Sequence, residues 1–197
     1  MQTCLQIFSV SFEEKKSTFL AYLCPIDEFE TLHVRLKNEH PKAAHIVWAK
    51  RFFNEYRQIV ENNSDDGEPK GTSGPPVLNV MRGAALIEVG ILIVRYFGGI
   101  KLGTGGLVRA YGGSAKALIA NALIQPYIFK ESFWFEIAYP LMPRFEHYMV
   151  QHAVEVVLRD FREQGVFWMI RMSEEEKEAF CLFSQTFERD GYTLITQ

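Results

Sequence analysis

The chain has 197 residues, 48% of them hydrophobic and 23% charged, with a net charge of −3. That balance belongs to a globular protein with a core to bury, and the length suits one large domain or two small ones. It excludes a generally basic nucleic-acid binder, although a local basic patch depends only on where the charges sit.

The charges are unevenly spread. Up to Pro126 there are 14 Lys/Arg against 12 Asp/Glu, and from Tyr127 onward 7 against 12. The two parts are therefore expected to meet different partners. Cys4, Cys24 and Cys181 are odd in number and far apart, which suits buried reduced thiols and gives no zinc spacing. The start MQTCLQIFSVSFEEKK has no basic run before an apolar one, so no secretory leader is expected. No apolar stretch approaches the roughly 20 residues that span a bilayer. A cytoplasmic location is expected.

In chain order, Cys4 to Phe8 alternates as a strand, and so does Ser17 to Pro25. Asp27 with Glu30 three residues on predicts a capped helix carrying Phe29, Leu32 and Leu36 to about His40, ended by Pro41. A strand pair is predicted over Ala44 to Lys50 and Tyr56 to Val60. Glu61 to Pro76, dense in Asn, Ser, Asp, Gly and Pro, reads as a surface loop or linker. Val77 to Arg82 predicts a short helical turn with Pro75 and Pro76 at its start. VGILIVRY, Val89 to Tyr96, predicts a strand covered on both faces.

A long helix follows, with Leu107, Ala110, Tyr111, Ser114 and Leu118 at helical spacing. Gly112 and Gly113 inside it imply a close neighbour, since each costs about 1 kcal/mol against Ala. Past Pro126 the pattern becomes β-α-β-β-α-β: a strand at Phe133 to Ile137, a helix from Arg144 to Ala153, and strands over Val154 to Phe161 and Val166 to Arg171. A helix capped by Ser173 and a last strand, Tyr192 to Ile195, complete it. That order is the ferredoxin-like arrangement. The domain boundary is placed near residue 128, giving 1–128 and 129–197.

The segment from Arg95 to Lys116 holds seven glycines, four basic residues and no acidic one. Glycines bring bare N–H groups within reach of a ligand, and the helix start that follows adds the positive end of its dipole. The expected ligand is an anion: a phosphate, a nucleic-acid backbone or a carboxylate. Neither the Walker A order nor the G-x-G-x-x-G fingerprint is met, so neither a nucleotide hydrolase nor a Rossmann enzyme follows. Asp65, Asp66 and Glu68 cluster in the preceding loop, as a solvated turn, as a hard-cation or acid–base site, or as partners of the basic segment. His45, in AHIVWAK beside Trp48, reads as scaffold or catalyst. His147 and His152 are five apart and share no helix face, and the hydroxyls of Thr72, Ser73 and Thr104 have no evident base. Tyr96, Phe97 and Tyr111 border the basic segment, with Trp48 and Tyr56 nearby, as core or as base-stacking rings.

The strings SDDGEPKGTSGPPVLNV and VRYFGGIKLGTGGLVRAYGGSAKAL, with KKSTFLAYLCPI and HPKAAHIVWA, resemble the YigZ/IMPACT family over nearly the whole chain. The matching positions are Asp65, Asp66, Gly67, Glu68, Gly71, Thr72, Gly74, Arg95 to Gly99, Lys101, Gly103, Gly105, Gly106 and Arg109 to Tyr111. After His45 the chain departs from the family pattern, with Ile46, Val47, Trp48, Ala49 and Lys50 in place of Asn, Cys and an aromatic before Ala-Tyr-Arg.

The resemblance implies an α+β protein of two domains. The first is an IMPACT-type domain like ribosomal-protein folds and elongation factor G domain IV, with a left-handed βαβ crossover. The second is a ferredoxin-like domain similar to elongation factor G domain V. It also implies a link to the control of translation.

The leading expectation is a non-enzymatic nucleic-acid- or ribosome-associated regulator. It would bind phosphate backbone through Arg95, Lys101, Gly103, Thr104, Gly105, Gly106, Arg109 and Lys116. Asp65, Asp66 and Glu68 would form a companion acidic loop, with His45, Tyr96 and Tyr111 as further candidates. The alternative is an enzyme acting on a small phosphorylated or carboxylated metabolite at the same loop, using Asp66 or Glu68. A third reading is a protein-interaction module working through the acidic C-terminal domain. RNA or the ribosome is the expected partner, with a protein partner through the C-terminal domain, no membrane, no cofactor and no resident metal.

Overall fold

The structure, a computed structural model, describes residues 1–195. The chain forms two compact units, the first Met1–Tyr127 and the second beginning at Ile128.

In the first unit the strands are β1 (Gln2–Thr3), β2 (Phe8–Glu14), β3 (Ser17–Pro25), β4 (His45–Phe53), β5 (Ile59–Ser64), β6 (Val89–Tyr96) and β7 (Gln125–Pro126). Its helices are α1 (Phe29–Glu39), α2 (Gly74–Gly83) and α3 (Thr104–Asn121). Five strands make one antiparallel sheet in the order β2-β3-β6-β4-β5, and β1 pairs separately with β7. Central β6 is covered on both faces, as its unbroken apolar run demands. Ile91 and Ile93 face α2 and α3 in one core cluster, with Phe19, Val47, Met81 and Tyr111. Leu92 and Val94 face α1 in another, with Phe29, Leu32 and Leu36. Of the two mid-helix glycines, Gly113 meets a close neighbour: a Cβ there would lie 3.2 Å from the Phe12 ring of β2.

The second unit contains β8 (Glu131–Ala138), α4 (Met142–Gln151), β9 (Glu155–Phe161), β10 (Gly165–Met172), α5 (Glu174–Gln185) and β11 (Tyr192–Ile195). Its antiparallel sheet has the order β11-β8-β10-β9, which with βαββαβ succession is the ferredoxin-like topology. One sheet face and both helices enclose an aromatic core of Phe135, Phe145, Trp168, Phe180 and Tyr192. Ser173 caps α5 with the reciprocal Ser173–Glu176 box.

Several predicted elements move. Cys4 to Phe8 is not a strand; pairing begins at Phe8, where FSVSFEE alternates half-buried and exposed positions. The Asp27–Glu30 box does not form. A 3₁₀ turn over Ile26–Glu28 precedes α1, no side chain caps it, and Glu30 instead pairs with Lys50 at 2.9 Å. The expected strand Tyr56 to Val60 slides to Ile59–Ser64, because Asn54 Oδ1 accepts from the N–H groups of Tyr56 and Gln58 and closes a turn there. Glu61–Ser64 is therefore sheet, not linker. It lies on an edge strand, whose polar composition suits a solvated flank.

Candidate functional site

The register gathers the chemistry-bearing segments at one end of the first unit's sheet. Thr18 pairs with Tyr96 and His45 with Arg95, so the β2–β3 turn, the start of β4 and the exit of β6 share that end. From β6 the glycine-rich loop of residues 97–103 leads into α3.

The acidic loop is held inside the domain. Asp65 Oδ1 accepts from the Ser73 hydroxyl (2.7 Å) and the N–H groups of Ser73 (3.1 Å) and Gly74 (2.9 Å), and Oδ2 accepts from Gly71 N–H (2.7 Å). Asp65 thus satisfies the start of α2 from outside the helix, where Ser73 provides no side-chain cap. Burial opposes its ionisation, but the Ser73 hydroxyl and these N–H groups outweigh that and hold the carboxyl below its ordinary range. Asp66 Oδ2 accepts from Ile46 N–H (2.6 Å), and its carbonyl accepts from His45 Nδ1 (2.6 Å). A carbonyl can only accept, so His45 carries its proton on Nδ1.

Glu68 is buried, 8% exposed, and its Oε1 accepts from the Arg95 guanidinium and from the Tyr111 hydroxyl (2.7 Å). Its Oε2 lies 3.8 Å from His45 Nε2. Burial, and then the Glu68 hydrogen bond and charge, push the Tyr111 phenol far above its ordinary range, so it stays a donor.

This arrangement corrects four expected roles. Arg95 is 6% exposed and ion-paired to Glu68, so it does not face a phosphate backbone. Tyr111 is fully buried and cannot stack on a base. Tyr96 is half-buried, with its hydroxyl bonded to His40 Nδ1 at 2.8 Å. Glu68, enclosed with Arg95 and Tyr111, is not placed to exchange protons with a metabolite. Among the described residues no three His, Cys, Asp or Glu side chains converge as a metal site.

The helix start is open. Gly103, at φ +72°, is the N-cap of α3 and contributes no side-chain cap, and the first turn holds no acidic residue. Lys101, Gly103, Thr104, Gly105 and Arg109 are exposed, while Gly106 is buried. The Arg109 guanidinium lies 3.7 Å from where a Cβ on Gly105 would be, so it leans back over the first turn. Lys116 is twelve residues past Thr104, about 18 Å along the axis, and does not belong to this end.

The fold adds four cations that sequence order had kept apart. Lys15 and Lys16 form the exposed β2–β3 turn; Lys42 precedes β4; Lys70 sits in the acidic loop. The turn is pressed against the glycine loop, since a Cβ on Gly98 would lie 1.8 Å from the Lys16 carbonyl oxygen. Among the described residues Lys15, Lys16, Lys42, Lys70, Lys101 and Arg109 form no ion pair, whereas Arg95, Lys50, Arg51 and Arg82 all do. Glu13 and Glu14, at the end of β2, are the nearby carboxylates not bound into the acidic loop's hydrogen bonds. The KK pair before a strand was the sequence signal for this cluster. It required the β3–β6 register to become meaningful.

Elsewhere, burial pushes the Cys4 thiol up to about 11 and Cys24 to about 12, so neither is a reactive thiolate. No helix among the described residues is long and apolar enough to cross a membrane.

Comparison with known proteins matches residues 15–119 to the family described as the Impact N-terminal domain. An IMPACT family member of Haemophilus influenzae is 33% identical over 194 residues, covering 96% of this chain and 93% of its own. The IMPACT family member YigZ of Escherichia coli is 39% identical over 118 residues, 57% of each chain. A crystal structure described as that of a hypothetical protein superposes with a TM-score of 0.74 at 27% identity, covering 100% of this chain and 96% of that one.

Proposed function

The chain belongs to the IMPACT family, and from that premise we propose that it is a cytoplasmic, translation-linked protein that binds RNA or the ribosome. Contact is made by the basic end of its first domain, through phosphate groups held at the α3 start by Lys101, Arg109 and the exposed first-turn backbone. The observation that carries this reading is the set of six exposed cations, without an ion pair among the described residues, at the sheet end from which the uncapped α3 starts. A net-negative protein that keeps six exposed cations out of ion pairs at one end of a sheet, against Glu13 and Glu14 there, has a surface suited to polyanions. The family's resemblance to elongation-factor modules supports a ribosomal setting. The enzymatic reading has no comparable support, because the carboxylates it needs hold the α2 start, the β4 backbone and Arg95.

The test is co-sedimentation with RNA and with ribosomes at low and moderate salt. Lys101→Ala and Arg109→Ala should each weaken binding, and each lost contact should lower the salt slope by about 0.7 on single strands. Lys116→Ala, on a short oligonucleotide, should change nothing. Absence of binding at low salt, or full binding in both the Lys101 and Arg109 variants, refutes the proposal.

A further inference from the structure

Phe97 is a large apolar side chain left 51% exposed at the basic end. The other aromatics that border the basic segment are accounted for elsewhere. Tyr111 is fully buried, Tyr96 is bonded to His40, and Trp48 packs edge-on against Phe29 and His33. Tyr56 is 74% exposed, but it lies in the β4–β5 turn, at the other end of a nine-residue strand from His45. That is about 26 Å from the basic end.

Phe97 is also firmly placed. It follows directly on β6, the central strand. The guanidinium of Arg95 lies 5.7 Å from its ring centroid, and Glu68 fixes that guanidinium from below. On its other side Gly98 is pinned, with its N–H donating to Ser17 Oγ at 3.3 Å and its Cα against the Lys16 carbonyl. The ring is therefore held by anchored backbone on both sides, with Lys15 and Lys16 next to it and Lys101 four residues on.

An exposed ring on anchored backbone, between cations that have no ion pair among the described residues, matches one ligand chemistry: a base whose own phosphates are within reach of the flanking lysines. Every base presents a π-face, so stacking tolerates any sequence. Within a duplex the bases are stacked on each other and offer no free π-face, while the phosphates stay accessible. Resting on the nucleic-acid reading of this surface, we propose that Phe97 is a base-stacking residue and that the ligand is single-stranded nucleic acid. Phosphate contacts supply the salt-dependent part of the affinity, and Phe97 supplies the preference for unpaired over paired strands.

The experiment compares a labelled single-stranded RNA oligonucleotide with a duplex of the same length, by fluorescence polarisation at low salt, on the full chain. The wild-type protein should bind the single strand more tightly. Phe97→Ala should weaken single-strand binding about tenfold or more while leaving duplex binding and the salt slope unchanged. Phe97→Trp should retain the single-strand preference, and an unaltered melting temperature in both variants shows that the exposed site was changed without loss of fold. Equal wild-type affinity for the two forms, or a Phe97→Ala protein that binds single strands as the wild type does, overturns this inference and leaves the phosphate reading standing. Failure of the wild-type protein to bind either form overturns both.

Discussion

Glu68 carries more structural consequence than any other side chain at the basic end. Its carboxylate is the counter-charge for a buried Arg95, the acceptor for a buried Tyr111, and a neighbour of His45. The Nε of Arg95 is buried without a hydrogen-bond partner, so the guanidinium depends heavily on that one carboxylate. Glu68→Gln should therefore destabilise the protein by about 3 kcal/mol or more, since it strands a buried cation. Tyr111→Phe, which removes a single hydrogen bond to a charged acceptor, should cost about 2 kcal/mol. Urea denaturation of the two variants decides the point; a smaller loss in Glu68→Gln than in Tyr111→Phe would show that charge is not what the cluster depends on. Little of this was legible in the sequence. The pairing of Glu68 with a basic residue of the glycine segment could be entertained there. However, Arg95 reads as a surface cation because it opens the basic glycine-rich segment, and only the burial of β6 on both faces takes it inside. Lys15, Lys16, Lys42 and Lys70 carried no recognisable motif, because their proximity is a product of strand register.

Elements with an internal period were legible, and those fixed by a few polar contacts were not. β3 and β6 fall where their apolar runs place them, and the capping box of α5 is spelled out by Ser173 and Glu176. β5 and the start of α2 are different, since ENNSDDG has the composition of a loop; Glu61–Ser64 is ordered by pairing with β4, and the residues after it by specific hydrogen bonds to Asp65 and Asp66. Asp65 joins the loop to α2 by accepting four hydrogen bonds from residues 71–74. Its carboxyl titrates below the ordinary aspartate value of about 4. The sign of the linkage follows: the stabilisation is fully present above about pH 4 and is lost as pH falls through the lower folded-state value. Asp65→Asn should thus lower stability at pH 7 by about 1–2 kcal/mol. The gap from wild type should narrow as the solution is acidified from pH 4 downward. Urea midpoints for both proteins at neutral and acid pH test this. A gap that stays constant would mean that the ionised carboxyl is not what anchors α2.

At the scale of the molecule, the two units have opposite electrostatic characters and separate cores. The first carries 14 Lys/Arg against 12 Asp/Glu, and the second 7 against 12. Their core clusters share no residue, with Phe19, Val47 and Ile93 on one side and Phe135, Trp168 and Phe180 on the other. Each unit thus encloses its own apolar interior, as independently folding domains do. The acidic unit adds net negative charge to any complex formed with a polyanion, and that repulsion acts over about 10 Å at 0.1 M salt. Residues 1–127 alone should therefore bind single-stranded RNA at least as tightly as the full chain at low salt. The difference should shrink as salt rises and the long-range repulsion is screened. Titrations of both proteins at two salt concentrations, with circular dichroism to show that the fragment is folded, provide the measurement. A folded fragment that binds more weakly than the full chain would place part of the nucleic-acid contact on the ferredoxin-like unit, despite its charge.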